Sequence, residues 1–255
     1  MKDIVLIHGT WCDGNVWGEF KNKLEDLGLR VHTPSLRYHD LPYEEVEQKV
    51  GRVSLGEYTD DIVKLVESLE EPPLVLGHSL GGLIAQLVAE KTKVSGLILM
   101  GTAPAAGIFA FYPSMVICFY KHFLRWGFWK KPMPPYKHAF CDYCMNNQDP
   151  KDKEIEFAKL VPESGFTYFQ MALPFLDKQK GAYVDFDKIN EPVLVITGTE
   201  DRMVNPNIAK ATAKKYKNSK LEIIQGSDHM YEAPKFRDVT VKIIDTWLEE
   251  NSLKN

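Results

Sequence analysis

The sequence predicts an α/β protein in which a mostly parallel sheet of about six strands is covered by helices on both faces. Short apolar runs alternate with helical patterns at both ends of the chain, and strands separated by helices pair in parallel. This alternation stops between Thr102 and Ile189. The chain therefore divides into an α/β core, residues 1–103 and 190–255, and a helical cap inserted at 104–189, after the strand that ends near Met100.

Composition restricts the classes of function. The 255 residues, 44% of them hydrophobic and 26% charged, are typical of a globular chain with one large core. A net charge of −4 argues against nucleic acid as a partner. The opening apolar run, 4–7, is too short for a secretory signal, which predicts a cytoplasmic protein. Cys141 and Cys144 form a lone C-x-x-C, which we interpret as structural thiols, with no metal site predicted.

The strands and helices of the core can be assigned from hydrophobic periodicity. Continuous apolar runs predict buried strands, and apolar residues that recur every three or four positions predict helices packed on the sheet. Residues 34–56 are polar and aperiodic, which predicts a long loop. The predicted strands are 3–7, 31–32, 74–76, 94–100, 192–197 and 221–224, and the predicted helices are 16–27, 58–69, 81–91, 207–217 and 235–249.

One strand leads directly into the motif G-x-S-x-G. Gly77, Ser79 and Gly81 occupy its fixed positions, between an apolar run and a helical pattern. Such a turn holds the serine in a strained backbone conformation with its hydroxyl at the sheet edge. The glycines remove side chains that would collide across the turn. Ser79 is therefore the candidate nucleophile, and the alternative is an ordinary glycine-rich turn with an incidental serine.

A serine nucleophile needs a base and an acid that orients the base, and both should follow strands at the same sheet edge. His229 follows the last predicted strand, which makes it the candidate base, although a loop histidine is also often merely solvated. Glu200 and Asp201 follow the preceding strand, and we assign the acid to Asp201. Its alternative roles are a salt bridge to Arg202 or a helix cap near Asn205.

An acyl-transfer site also needs two N–H donors that bind the oxyanion. The first is predicted at Leu80, directly after the nucleophile. The second is predicted in the loop after the first strand, where Gly9 lets the backbone turn the N–H of Thr10, or alternatively of Trp11, toward the site.

Four motifs occur in a fixed order along the chain: His8-Gly9, Gly77-His78-Ser79-Leu80-Gly81-Gly82, Gly198-x-x-Asp201-x-x-Val204 and Gly226-x-x-His229. Together they resemble the α/β-hydrolase fold superfamily, and the chain is most similar to its bacterial carboxylesterase and lysophospholipase-like members, including the monoacylglycerol-lipase type. The resemblance implies a Ser-His-Asp hydrolase with a helical cap. It begins at the strand that the family numbers third, so we expect a sheet without the family's antiparallel edge pair. Serine at position 79 disfavours members with an aspartate nucleophile.

The predicted cap is rich in aromatic residues, which indicates an apolar pocket above Ser79. A second interpretation is that these aromatics only pack the cap onto the core. A third is that the cap contacts a membrane surface, because cationic residues accompany them, although Pro113 and the charges argue against a spanning helix. The candidate pocket residues are Phe109, Phe111, Phe119, Phe123, Trp126, Phe169 and Phe175, and the cationic residues are Lys121, Arg125, Lys130 and Lys131.

These residues predict a serine hydrolase that cleaves carboxylic esters with a hydrophobic acyl or alcohol part through an acyl-enzyme. The partner is a small-molecule ester, and the chemistry requires no metal or cofactor. A C–C bond hydrolase, a synthase-type lyase or a thioesterase on the same fold is the first alternative. A non-enzymatic binding protein is the second, and it is disfavoured because every catalytic position is filled. The sequence leaves the oligomeric state open.

Overall fold

A parallel sheet forms the centre of the molecule. The computed structural model describes residues 1–254, which contain eight strands: β1 (Lys2–Ile7), β2 (Leu29–His32), β3 (Leu74–His78), β4 (Gly96–Met100), β5 (Pro132–Met133), β6 (Glu163–Ser164), β7 (Val193–Gly198) and β8 (Ser219–Ile224). Six of them pair in parallel in the order β2-β1-β3-β4-β7-β8. β5 and β6 form a separate antiparallel ribbon. The predicted fold class, a six-stranded parallel sheet flanked by helices, is confirmed.

Helices cover the two faces of this sheet and also occur in the insertion between β4 and β7. They are α1 (Gly18–Asp26), α2 (Tyr43–Lys49), α3 (Leu55–Glu67), α4 (Leu80–Lys91), α5 (Pro113–Phe123), α6 (Lys137–Ala139), α7 (Pro150–Phe157), α8 (Gly165–Ala172), α9 (Pro206–Ala213) and α10 (Arg237–Glu250). Helices α1, α3, α4, α9 and α10 cover the sheet, and α5 to α8 lie in the insertion. Ile4 and Leu6 of β1 join the apolar cluster under α1 and α10, while Val5 and Ile7 join the cluster under α3, α4 and α9. Successive strand residues point to opposite faces, so a strand covered twice must be apolar throughout.

The region predicted as a long loop, 34–56, contains structure that the prediction missed. α2 and a 3₁₀ turn at Val50–Arg52 lie within it, so the loop prediction is wrong there. α2 is only seven residues long, and Val46 is its single buried residue. A helix of two turns with one buried position shows no hydrophobic periodicity, because apolar residues must recur over several turns before the pattern can be recognised.

The insertion between β4 and β7, residues 104–189, is called the cap segment here. It consists of short helices and the β5–β6 ribbon, and buried polar contacts fix it to the core. The hydroxyl of Tyr58 donates to Glu163 Oε1 at 2.8 Å, and His39 Nε2 lies 3.3 Å from Glu163 Oε2. Burial would lower the pKa of His39, but the Glu163 carboxylate outweighs it and raises that pKa. A buried pair of this kind ties the cap segment to α3.

Within residues 1–254, no helix is both long enough and apolar enough to span a bilayer.

Candidate active site

The serine turn connects β3 to α4 through a single residue. Ser79 lies between the last residue of β3 and the first of α4, with φ of 54° and ψ of −118°. Only a tightly supported backbone keeps a non-glycine residue in this region. A Cβ on Gly77 would collide with the carbonyl oxygen of Gly81, and a Cβ on Gly81 would collide with that of Ile7. The glycines therefore allow the close approach that puts Ser79 on the wall of a cavity.

Two residues from different strand ends meet beside this turn. His229 follows β8 and Asp201 follows β7, and His229 Nδ1 lies 2.7 Å from Asp201 Oδ2. The same carboxylate accepts hydrogen bonds from the Tyr231 hydroxyl at 2.7 Å and from the Val204 N–H at 2.8 Å. Asp201 is 5% exposed and His229 is 1% exposed, so water does not compete for these contacts. These hydrogen bonds hold the Asp201 carboxylate in place, and the carboxylate in turn orients the His229 imidazole.

The environment of His229 sets its protonation. Burial alone would lower the pKa of His229, but the charge and hydrogen bond of Asp201 outweigh burial and raise it. A carboxylate can only accept, so Nδ1 carries a proton, and in the neutral imidazole Nε2 is left with a lone pair. The buried Nε2 has no hydrogen-bond partner within residues 1–254. His229 and Ser79 both line the cavity, so this free nitrogen is suited to accept a proton there.

The surroundings of Asp201 bear on the alternatives left open by the sequence. Glu200 is exposed, and no ion pair of Arg202 occurs in the described part of the chain. Asn205 caps α9 with its own side chain, which accepts from the Asn207 N–H at 3.0 Å. The acid that meets His229 is thus Asp201. Sequence reasoning missed Tyr231, because nothing in its local pattern reveals a contact with a residue thirty positions earlier.

Backbone donors converge on the serine from a second loop. A Cβ on Gly9 would stand 3.1 Å from the Cβ of Ser79, so the loop after β1 lies against Ser79. Within residues 1–254 the N–H groups of Thr10, Trp11 and Leu80 donate to no protein acceptor, and all three residues line the cavity. Trp11 adopts φ of 67°, which turns the loop. The Thr10 hydroxyl lies 2.7 Å from that of Tyr168 in α8, which ties this loop to the cap segment.

A cavity of about 440 Å³ lies over these groups. Its wall contains no aspartate, glutamate, lysine or arginine. Instead it is rich in sulfur and aromatic side chains, which adapt to irregular apolar shapes. The sulfur-containing residues are Cys12, Met115, Cys144, Met171, Met203 and Met230. The sequence pattern does not point to Cys12, Met115, Met203 or Met230 as cavity residues, because they come from separate segments and share no spacing.

Four of the seven candidate pocket residues lie on the cavity wall: Phe109, Phe111, Phe119 and Phe123. The structure places Trp126, Phe169 and Phe175 away from it. Trp126 is 86% exposed and Phe175 is 73% exposed. Phe169 stacks on Phe166 and packs against Trp129 instead. In α8 the cavity is lined by Tyr168, Met171 and Ala172, three positions that share one helix face and exclude Phe169 from it.

The loop that carries His229 is held by the cap segment. The His229 N–H donates to the carbonyl of Cys144 at 3.1 Å. Asp228 accepts from the Asn147 N–H at 2.9 Å and from Gln148 Nε2 at 3.0 Å. Asp228 is therefore occupied in holding the cap segment, although it adjoins His229 in sequence.

The C-x-x-C pair lies in the part of the cap segment that contacts the His229 loop. Cys141 and Cys144 are part of a π-helical turn at Phe140–Cys144, and both are buried and not bonded to each other. Burial raises the pKa of both thiols, which keeps them protonated. Within residues 1–254, no cluster of three or more acidic, histidine or cysteine side chains is arranged to hold a metal ion.

A second buried titratable pair lies behind the imidazole. His78 Nε2 donates to the carbonyl of His229 at 2.8 Å, and His78 Nδ1 lies 3.5 Å from Glu232 Oε1. Burial, together with the nearby His229, lowers the pKa of His78 well below its ordinary value. Burial raises the pKa of Glu232 to about 7. Neither carboxyl oxygen of Glu232 has a hydrogen-bond partner in residues 1–254, so its protonated form is favoured.

Glu232→Gln should remove a pH-dependent loss of stability. The pKa of Glu232 rises from 4.5 in the unfolded chain to about 7 when folded. Its stabilising contribution is therefore complete below pH 4.5 and is lost as the pH rises through 7. Relative to wild type, the variant should gain about 2–3 kcal/mol of unfolding free energy between pH 5 and pH 8, measured with urea. The exposed control Glu70→Gln should gain nothing, and an equal effect of Glu232→Gln at both pH values would contradict the argument.

Comparison with known proteins identifies the family. A model of the alpha/beta hydrolase family matches residues 4–236. A pyrethroid hydrolase of Sphingobium wenxiniae is 36% identical over 111 residues, which span 42% of this chain and only 39% of that protein. A structure of a polyneuridine aldehyde esterase mutant superposes with a TM-score of 0.72 at 19% identity, covering 96% of this chain and 98% of the other. A monoacylglycerol lipase of Paleococcus ferrophilus superposes with a TM-score of 0.68 at 21% identity, covering 98% and 94%.

The family match begins in β1 and ends directly before α10, so it contains the serine turn and both strand ends described above. The solved structures share the fold over nearly the whole chain, although their sequences differ at about four positions in five. The chain belongs to the alpha/beta hydrolase family.

Proposed function

We propose that this protein is a serine hydrolase that cleaves neutral carboxylic esters with a hydrophobic acyl or alcohol part. The observation that carries the proposal is the joint placement of Ser79 and His229 on the wall of an uncharged cavity, with Asp201 bound to the far nitrogen of His229. Ser79 is the nucleophile, His229 the general base and acid, and Asp201 the group that orients His229.

In the first half of the reaction, Ser79 Oγ bonds to the ester carbonyl carbon while its proton passes to His229 Nε2. The carbonyl oxygen becomes an oxyanion, which the N–H groups of Leu80 and of Thr10 or Trp11 bind. Asp201 stabilises the imidazolium that forms. The bond to the alcohol oxygen then breaks, the alcohol takes the proton from Nε2, and the acyl group stays on Ser79.

In the second half, water attacks the acyl carbon and gives a proton to His229 Nε2. The bond to Ser79 Oγ breaks, Oγ takes that proton back, and the carboxylic acid leaves. The same N–H groups bind the second oxyanion. Every proton in this sequence is carried by His229, so the chemistry needs no further group from the protein.

The cavity wall favours an uncharged substrate. A carboxylate placed there would lose its water and find no lysine or arginine as a partner. Leaving a charge buried and unpaired costs several kcal/mol. The sequence relative named as a pyrethroid hydrolase supports the hydrolytic part of the proposal. The absence of a cationic wall argues against the C–C hydrolases that take acid-bearing substrates.

A matched pair of esters tests this proposal. The enzyme should hydrolyse p-nitrophenyl butyrate at least about 10²-fold faster, in kcat/KM, than mono-p-nitrophenyl succinate, because only the succinate brings a charge into the cavity. A series from acetate to palmitate then gives the acyl length that the cavity accepts. Equal or faster hydrolysis of the succinate would contradict the proposal, and absence of turnover with every ester would favour the lyase alternative.

A further inference from the structure

The outer face of α5 is apolar although it faces solvent. Val116, Ile117, Tyr120 and Leu124 are each at least 42% exposed, and their spacing of three and four residues puts them on one side of the helix. The opposite side, with Cys118, packs into the core. This is the reverse of an ordinary surface helix, whose exposed face is polar.

The exposed apolar surface continues on both sides of α5. Trp126, directly after the helix, is 86% exposed, and Phe109 and Phe111, before it, are 64% and 72% exposed. We call Phe109, Phe111, Ile117, Tyr120, Leu124 and Trp126 together the docking face. Phe109 and Phe111 also line the cavity over Ser79, so the docking face adjoins the candidate active site. Apolar patches of this kind on a globular protein mark interaction surfaces.

The chain segment that carries the docking face contains charged residues of one sign. Residues 101–141 contain five lysines and arginines and no aspartate or glutamate, although the whole chain has a net charge of −4. Lys137 pairs with Glu154, whereas Lys121, Arg125, Lys130 and Lys131 make no ion pair within residues 1–254. Lys130 and Lys131 are exposed, so their charges are available to an anionic partner.

We propose that the docking face binds an anionic lipid surface, with its apolar side chains in the interface and its lysines at the headgroups. Aromatic and aliphatic residues flanked by lysine and arginine are the composition of helices that lie in a membrane interface. Each lysine or arginine near an anionic surface strengthens binding about fivefold. The bound molecule places the cavity mouth against the lipid, so a hydrophobic ester enters without passing through water.

A second copy of the chain fits the docking face poorly. A symmetric pair would bring the same four unpaired cations of each copy to one interface, where like charges oppose association. An anionic lipid surface instead offers the complementary charge. The proposal goes beyond ester hydrolysis and does not depend on it, since docking uses no residue of the proposed catalytic group.

Vesicle sedimentation tests the proposal. The probe is a vesicle of phosphatidylcholine with or without 30% phosphatidylglycerol, and the protein is the Ser79→Ala variant, so that turnover plays no part. Binding should be at least about tenfold tighter to the anionic vesicles. Leu124→Glu with Trp126→Glu, and separately Lys130→Glu with Lys131→Glu, should each weaken it about tenfold or more. These four residues lie outside the cavity wall, so the same substitutions made in the protein that keeps Ser79 should leave hydrolysis of a soluble ester at the wild-type rate.

Matched controls stand elsewhere in the fold. Val239 on α10 is 41% exposed, and Lys217 is exposed, so Val239→Glu and Lys217→Glu each put a glutamate in place of an exposed apolar or cationic side chain away from the docking face. Both should bind vesicles as the parent does. Vesicle binding should also shift the tryptophan emission to shorter wavelength, and Trp126→Phe should reduce the shift, because Trp126 is 86% exposed, the neighbouring Trp129 is half-buried, and Trp11, Trp17 and Trp247 are at most 2% exposed.

Three results would overturn the proposal. The first is equal binding to both kinds of vesicle, and the second is a loss of binding that the control variants share. The third is a wild-type dimer, seen by light scattering, that Leu124→Glu dissociates while vesicle binding is unchanged. Failure of ester hydrolysis with intact vesicle binding would instead contradict only the proposed function.

Discussion

Ser79→Ala is expected to reduce the kcat for p-nitrophenyl butyrate by roughly 10⁴- to 10⁶-fold, since removal of a serine nucleophile leaves only oxyanion binding and substrate positioning. The fold should not change. Serine and alanine both carry a Cβ, so the strain at φ of 54° is the same in both. The unfolding free energy should therefore stay within about 0.5 kcal/mol of wild type. Kinetics and urea unfolding on the same preparations check both parts.

Ser68→Ala is the matched control, because Ser68 is an exposed residue at the end of α3. Wild type and Ser68→Ala should be labelled covalently by a fluorophosphonate, and Ser79→Ala should not. Turnover by Ser79→Ala at more than about a hundredth of the wild-type rate would refute the assignment of the nucleophile. A folded wild type that takes no label would favour the binding-protein alternative.

Asp201→Asn should reduce kcat/KM by roughly 10³- to 10⁴-fold, because an amide no longer holds His229 in the tautomer that leaves Nε2 free. The pH profile should change as well. Asp201 raises the pKa of His229 above 6.5, so wild-type activity should fall as the pH drops through a midpoint above 6.5. Without that charge, burial dominates and the midpoint should move to lower pH. Measurement of kcat/KM from pH 4 to pH 9 gives both effects.

Glu200→Gln is the control for Asp201→Asn, since it alters the neighbouring, exposed carboxylate. It should leave both rate and midpoint unchanged. A large effect of Glu200→Gln, or an unchanged midpoint in Asp201→Asn, would show that the acid had been misassigned. The midpoint distinguishes an electrostatic role from a structural one, because misfolding lowers the rate at every pH without moving it.

Much of the core could be predicted because its signals are local. A continuous apolar run such as Leu74–Leu76 marks a strand covered on both faces, and the glycines at 77 and 81 mark a turn too tight for side chains. The ends of parallel strands meet at one edge of the sheet. That rule predicts that Ser79, Asp201 and His229 lie close together, and in the structure Asp201 and His229 are in contact.

The features that the sequence did not predict depend on contacts between distant residues, which leave no local sequence pattern. Tyr231 reaches Asp201 only because the loop after β8 folds back over the end of β7. The β5 and β6 strands have two residues each, which is too short for an alternating pattern. Phe169 and Met171 are near neighbours in an apolar segment, yet only Met171 lines the cavity, because the rotation of α8 against the core decides which face points inward.

The hydrogen bonds from the Cys144, Asn147 and Gln148 region to the loop that carries His229 affect how specificity could be re-engineered. When an inserted segment is exchanged between relatives, the design assumes that the segment can be replaced without affecting the core. Here the insertion also supports the loop that carries His229. A chimera that replaces residues 104–143 and keeps 144–148 would preserve these hydrogen bonds. A chimera that replaces all of 104–189 would change the cavity wall and also remove the hydrogen bonds that hold the His229 loop.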